Sequence, residues 1–120
     1  MDEKPKRYIV ADFGAITPLR CPCGFTRRAF TEDPDGVATV HVVEIQEDAR
    51  VHYHRKLTEV YFVLEGEGIL ELDEESLPVR PRSCVMIKPG CRHRAVGQLT
   101  MLVTAIPAFD PEDEWFDEQV

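Results

Sequence analysis

The sequence predicts an all-β domain, on the strength of three observations. The chain has 120 residues, which suits a single domain with one buried core. From Val37 onward, runs of β-branched and aromatic residues recur at roughly 8–12-residue spacing, separated by turn residues. No helical periodicity longer than about one turn interrupts these runs. This pattern is typical of an antiparallel β-sandwich or β-barrel built from about ten short strands.

The individual elements follow from these runs. The turn signal Asp33-Pro34-Asp35-Gly36 precedes the first strong run, because proline presets φ and glycine tolerates positive φ. Near the end of the chain, Asp110 followed by a proline and further acids predicts a single helical turn. The predicted strands are residues 7–13 and 27–30, which are weaker candidates, then 37–45, 51–54, 59–64, 69–72, 77–80, 84–87, 92–96 and 101–106.

The domain organisation is predicted to be simple, because neither a repeat nor a break in composition divides the chain. Residues 37–106 form the barrel core. Residues 1–36 supply N-terminal strands and turns that pack on it, and residues 107–120 form an acidic C-terminal segment. The Cys21-Pro22-Cys23 stretch is predicted to be a turn with reduced thiols and not a zinc site, which needs about four ligands.

The charge limits the possible partners. The chain has 22 acidic and 14 basic residues, a formal net charge of −8, and its last twelve residues hold six acids and no base. This balance argues against nucleic acid or an anionic membrane surface as a partner. No apolar run approaches the ~20 residues of a membrane-spanning helix, and the N-terminal apolar stretch is too short for a secretion signal. We therefore expect a cytoplasmic protein.

Three of the four histidines are spaced as metal ligands. His52 and His54 are separated by one residue, so their imidazoles share one face of a strand, about 6–7 Å apart. Glu59 begins the next strand, and His93 follows the turn Pro89-Gly90. Three neutral nitrogens and a carboxylate suit one divalent transition metal: iron, manganese, nickel, zinc, cobalt or copper. The alternative is a polar strand face with a solvated glutamate.

The same spacing resembles the two motifs of the cupin superfamily. The first motif, H-x-H, three or four residues, E, six residues and G, is matched across residues 52–66. The second, P-x-G-x-x-H-x-x-x-N, is matched at Gly90 and His93, whereas Lys88 and Gly97 stand where it has proline and asparagine. These departures fall on turn positions and leave the candidate metal ligands in place.

The resemblance covers about residues 37–106 and implies a small single-domain, metal-binding cupin with an antiparallel jelly-roll β-barrel of the RmlC-like kind. It also implies a homodimer, because such cupins commonly dimerise, and it places Gly66 in a turn between two strands. The metal ligands that it implies are His52, His54, Glu59 and His93.

Strand parity adds candidates for the pocket. Tyr61 shares a face with Glu59 and is predicted to act as a hydrogen-bond donor or acid near the metal, with a half-buried core aromatic as the alternative. Arg50 has the parity of His52, and Arg92 belongs to an arginine cluster around the second motif. Guanidinium groups bind carboxylates and phosphates, so both arginines are predicted to bind an anionic substrate. Exposed ion pairs are the alternative.

The ligand set predicts a metal-dependent enzyme acting on a small anionic organic substrate. Four protein ligands leave two positions of an octahedral metal open for substrate or dioxygen. An oxygenase-like reaction is favoured because the sequence presents no obvious acid–base pair. His41 lies on an apolar strand face and is predicted to be a core residue with one hydrogen bond. The alternatives are a sugar-phosphate isomerase-like enzyme, with Tyr61 as its base, and a non-catalytic module that binds a metal or metabolite.

Overall fold

The computed structural model describes residues 6–21, 24–46 and 49–117. All strand pairings in these ranges are antiparallel, which confirms the predicted all-β antiparallel class. No helix in them is long and apolar enough to cross a membrane. Cys23 of the predicted turn lies outside the described residues. The strands are β1 (Leu19–Cys21), β2 (Gly24–Ala29), β3 (Thr39–Ile45), β4 (Thr58–Leu72), β5 (Glu75–Val79), β6 (Cys84–Ile87) and β7 (His93–Ile106), and the 3₁₀ turns are Phe13–Ala15 and Pro111–Asp113.

The sheet is built around the two longest strands. β4 and β7 pair along nearly their whole lengths, from Thr58 opposite Ile106 to Leu72 opposite His93. The hydrogen-bonded order is β1-β2-β3-β7-β4-β5, and β6 pairs with the first half of β4. Because this order has two ends within the described ranges, hydrogen bonding does not close the sheet into a continuous barrel.

β4 and β7 run through glycines at which the sequence predicts turns. Gly66 was expected between two strands, and a second break was expected at Gly97, yet both residues lie inside a strand. A side chain at Gly66 would place its Cβ 2.1 Å from the main-chain oxygen of Gln98, and φ there is +87°. Gly97 stands opposite Gly68 on the partner strand. The glycines therefore permit a close approach of two long strands, a role that the local sequence does not distinguish from a turn.

Two short elements at the ends of the chain depend on aspartate caps. The strand predicted at residues 7–13 is wrong: the chain there enters a 3₁₀ turn in which the carboxylate of Asp12 accepts a hydrogen bond from the N–H of Gly14 at 2.9 Å. The helical turn predicted after Asp110 is confirmed as the 3₁₀ turn Pro111–Asp113. Both caps satisfy N–H groups that a short helix leaves unpaired.

The strand predicted at residues 51–54 is reduced to two isolated bridges. His52 pairs with His93, at the start of β7, and Tyr53 pairs with Trp115 near the C-terminus. The segment that carries two predicted ligands is thus held between the sheet and the end of the chain.

Inward-facing side chains of β2, β3, β7 and β4 line up in rungs, because residues opposite each other in an antiparallel sheet point to the same face. A buried apolar core occupies most of this face. The rungs that matter for the site are Thr39–Ala105–Glu59, then Arg28–His41–Val103–Tyr61, then Thr26–Val43–Met101–Val63.

Candidate metal centre and its cavity

The structure brings the four predicted metal ligands together. Each of His52, His54, Glu59 and His93 offers one ligand atom, and these atoms lie within 4.8 Å of one another. Oε1 of Glu59 is 3.0 Å from Nε2 of His54 and 3.1 Å from Nε2 of His93. Adjacent ligand atoms around an octahedral ion with bonds of about 2.1 Å stand about 3.0 Å apart, so this spacing suits a single metal.

Main-chain carbonyl groups hold all three imidazoles in one tautomer. In each ring Nδ1 donates its hydrogen to a carbonyl oxygen, so the neutral ring carries its lone pair on Nε2. Metal-binding histidines are usually oriented by such a bond from the other ring nitrogen. The three bonds run from His52 to Arg50 at 2.8 Å, from His54 to Asp113 at 2.7 Å and from His93 to Cys91 at 2.9 Å.

The orphaned Nε2 of His54 is the strongest sign that a cation belongs here. This atom is buried and has no hydrogen-bond partner among the described residues, although an oxygen of Glu59 lies 3.0 Å away. Two acceptor atoms this close repel each other unless a proton or a metal cation lies between them. The Nε2 atom of His93 faces the same oxygen, and this convergence on one carboxylate oxygen fits a divalent metal.

The pKa shifts keep Glu59 ionised and favour a cation, either a proton or a metal, between Glu59 and His54. Burial by itself raises the pKa of Glu59, but contact with the rings of His54 and His93 outweighs it and lowers the pKa to about 2. Burial, followed by the proximity of His93, lowers the pKa of His52. Burial also acts to lower the pKa of His54, yet Glu59 beside it produces a net rise. Glu59 is therefore a carboxylate at neutral pH, and a cation on its oxygen is favourable.

Residues 107–117, which we call the C-terminal strap, support the site from the far end of the chain. The buried carboxylate of Asp113 accepts hydrogen bonds from the main-chain N–H groups of Arg55, Lys56 and Leu57, at 3.0, 3.0 and 3.3 Å. Burial opposes ionisation, but these bonds outweigh it and lower the pKa of Asp113. The same residue orients His54 through its carbonyl oxygen. Sequence analysis identified it only as an acid in a helical turn.

A cavity of about 420 Å³ lies beside the ligands and is lined by β2, β3, β4, β7 and the strap. His52 and Glu59 reach it, and Tyr61 and Arg50 also line it, while the catalytic and substrate-binding roles predicted for these two residues stay predictions. The Arg50 guanidinium lies 4.2 Å from the centre of the Phe116 ring. The main apolar wall of the cavity is formed by Val43, Ile45, Ala95, Met101 and Val103.

Arg92 lies outside the cavity lining. Its Nε and Nη2 atoms donate to the carboxylate of Asp117 at 3.0 and 2.8 Å, and its guanidinium stacks 3.5 Å from the centre of the Tyr53 ring. Nη1 donates to the carbonyl oxygen of Gly90 at 2.8 Å. The substrate-binding role predicted for Arg92 stays a prediction, and this geometry does not favour it.

The cavity contains polar residues that sequence analysis did not select. These are Thr26 and Arg28 of β2, which line it together with the apolar ring of Phe109 from the strap. His41 is buried and bonds to the Thr39 hydroxyl at 2.8 Å, as expected of a core histidine, but it also lines the cavity. Burial, aided by Arg28, lowers the pKa of His41 to about 4, so its ring is neutral at pH 7. Alternation along β2 places Thr26 and Arg28 on one face of the strand, but it does not show that this face lines the cavity.

The comparisons with known proteins agree with the resemblance to the cupin superfamily. A sequence model described as the cupin domain matches residues 39–104. Protein MJ1618 of Methanocaldococcus jannaschii is 29% identical over 115 residues, covering 92% of this chain and 87% of that protein. A crystal structure from Planctomyces limnophilus is 38% identical, with a TM-score of 0.85 over 91% of this chain and 96% of that one.

A more distant similarity concerns the fold alone. Pac13, a nucleoside dehydratase from Streptomyces, is 20% identical, with a TM-score of 0.75 over 89% of this chain and 88% of its own. The predicted jelly-roll fold is thereby confirmed, with the difference that the sheet described above is open.

Proposed function

We propose that this chain, which belongs to the cupin family, is a metal-dependent enzyme that acts on a small anionic organic substrate. One observation carries the proposal: three imidazole nitrogens and a carboxylate converge beside a cavity that also holds acid–base and cationic side chains. Perturbed titratable groups and metal ligands around one concave site are the usual features of catalysis.

A divalent transition metal bound by His52, His54, Glu59 and His93 would supply a Lewis acid for the oxygen atoms of a substrate. Tyr61 lies on the rung next to Glu59, is buried, and packs edge-on against His93 with ring centres 5.9 Å apart. In our proposal Tyr61 is the catalytic residue that donates or accepts a proton at the substrate. Arg50 contributes positive charge at the rim of the cavity.

Acid–base chemistry at the metal, such as an isomerisation or elimination, is the reaction class that we favour. The argument from the sequence for an oxygenase was the lack of an acid–base pair. The cavity, however, contains Tyr61 together with His41 and Glu114, and this removes that argument. The oxygenase-like reaction is the second candidate, because the cavity beside the four candidate ligands has an apolar wall that includes Met101 and Val103.

Metal content and two activity assays test the proposal. Elemental analysis of protein purified without chelators should find about one transition metal per chain. The loaded protein is then incubated in D₂O with a panel of hydroxy acids, oxo acids and sugar phosphates, while an oxygen electrode records oxygen uptake. Deuterium incorporation without oxygen uptake supports acid–base chemistry, whereas uptake coupled to loss of the acid supports the oxygenase. Stoichiometric metal with neither signal across the panel favours a binding module.

We also propose a homodimer in the cytoplasm. Several apolar side chains of the strands around β4 are exposed, among them Met86 at 62% and Ile69 at 42%. Exposed apolar surface of this kind is a common feature of association sites. Light scattering on the eluting peak of a size-exclusion column should give twice the chain mass of 13.7 kDa, and a peak of single mass would contradict the dimer.

A further inference from the structure

We infer that Thr26 and Arg28 form a carboxylate-binding subsite on the β2 wall of the cavity, so that the substrate is an organic acid with an apolar body. The subsite would hold the carboxylate while the rest of the molecule extends toward the metal ligands. This inference rests on the proposed function, because it names the substrate class of the same cavity.

Two unsatisfied polar atoms mark the subsite. Oγ1 of Thr26 and Nε of Arg28 are both buried, and neither has a hydrogen-bond partner among the described residues. Thr26 is only 3% exposed, and both residues line the cavity. Buried polar groups in folded proteins are nearly always hydrogen-bonded, so two orphans on one strand face call for an external partner.

The surroundings of Arg28 leave its charge available to a ligand. Opposite it in the sheet stands His41, which is neutral at pH 7 because of its lowered pKa. The guanidinium carbon of Arg28 lies 4.9 Å from the centre of the Phe109 ring, and this contact fixes the guanidinium group without neutralising its charge. Across the described ranges, no acidic side chain forms an ion pair with Arg28. The acids that also line the cavity are Glu59, which belongs to the metal ligands, and Glu114 of the strap.

Strand register sets the subsite apart from the metal. Arg28, His41, Val103 and Tyr61 occupy successive strands of one rung. Three strand spacings separate Arg28 from Tyr61, about 14 Å measured along the sheet, with long side chains reaching inward from both ends. A molecule of metabolite size can therefore touch the β2 wall and the metal ligands at once.

A carboxylate fits this pair better than a phosphate ester does. One hydroxyl and one guanidinium offer donors for the two oxygens of a carboxylate, whereas a phosphate dianion needs more donors and more positive charge. Apart from the neutral ring of His41, the wall between the subsite and Tyr61 is apolar, with Val43, Met101 and Val103 along it. This wall suits a hydrocarbon or aromatic body and not a polyhydroxylated sugar.

Calorimetry with the full chain tests the subsite. The probes are 4-hydroxybenzoate, its neutral amide 4-hydroxybenzamide, and phenyl phosphate, each titrated into metal-loaded and chelator-treated protein. The acid should bind at least about tenfold more tightly than the amide, the size of one charge-assisted hydrogen bond. Arg28→Gln should abolish this preference, and Thr26→Val, which keeps the shape, should reduce it about threefold.

Arg27→Gln is the matched control, because Arg27 is adjacent on the same strand and pairs with Glu44 instead of lining the cavity. It should keep the preference for the acid. Equal binding of acid and amide, an unchanged preference in Arg28→Gln, tighter binding of phenyl phosphate, or no binding of the acid below about 10 mM would each overturn the subsite.

The metal measurements distinguish a failure of the carboxylate subsite from a failure of the proposed metal-dependent function. Metal at one per chain without a preference for the acid rejects the subsite alone. A preference that depends on Arg28 in protein that binds no metal supports the subsite and rejects the metal enzyme.

Discussion

Both ends of the cavity hold a buried polar atom without a partner among the described residues, but they differ in how the surrounding groups are fixed. At the metal end, every imidazole has its Nδ1 atom bound to a carbonyl group of the chain, and a buried glutamate stands between the rings. At the β2 end, Thr26 and Arg28 have buried atoms without a partner in the described structure. The first arrangement suits a resident ion held in one geometry, whereas the second suits a ligand that binds and dissociates.

The largest expected effect is the loss of the metal on His54→Ala. Removal of a ligand should weaken metal binding by more than about a hundredfold, beyond the usual effect of residues that only support ligands. Competition with a chromophoric chelator measures this affinity. The control is His41→Ala, the same change in the same cavity at a ring that is not a ligand. Equal metal loss in both variants would contradict the assigned ligand set.

A smaller effect is expected for Asp113→Asn, which leaves the ligands intact. The amide retains one acceptor oxygen but loses the charge that binds the main-chain N–H groups of residues 55–57, so the position of His54 becomes less defined. Metal affinity should fall about ten- to a hundredfold, and the free energy of unfolding should fall by about 1–3 kcal/mol.

The matched control for this variant is Asp110→Asn. Asp110 caps the same 3₁₀ turn, and asparagine is an equally good cap, so metal affinity and stability should stay close to those of the wild type. If Asp113→Asn binds metal as tightly as Asp110→Asn does, the strap does not position the site.

The pH dependence of stability sharpens the role of Asp113. Its pKa is lowered in the folded chain, so its stabilisation is fully present above the ordinary value of 3.8 and is lost as the pH falls through the folded value. Urea unfolding of metal-free protein should show a gap between wild type and Asp113→Asn at about pH 7 that narrows toward about pH 3. A gap that is constant over this range would mean that the carboxylate charge is not what stabilises the strap.

The smallest effect is expected for Arg92→Gln. Its partner Asp117 is exposed, and exposed ion pairs contribute little to stability. Binding of 4-hydroxybenzoate should be unchanged, in contrast to Arg28→Gln. A loss of affinity in Arg92→Gln comparable to that in Arg28→Gln would restore the role that the sequence predicted for Arg92.

Much of the site could be predicted because its signals are local. His52 and His54 share a face through their spacing, and Glu59 and Tyr61 do so through strand alternation. Glycines were harder to interpret, since Gly66 has the same local signature in a turn as in a close strand contact. Whether Gly66 lies in a turn or in a close strand contact depends on Gln98, which lies on a different strand and is not part of the local pattern.

The sequence by itself determined the all-β class and singled out the four candidate ligands, because strand parity and motif spacing act over a few residues. Only the tertiary structure decided that Arg28 lines the cavity while Arg92 pairs with Asp117. It alone decided that Asp113, 59 residues away, orients His54. These contacts depend on the order of strands in the sheet and on the path of the strap, which no periodicity within either segment encodes.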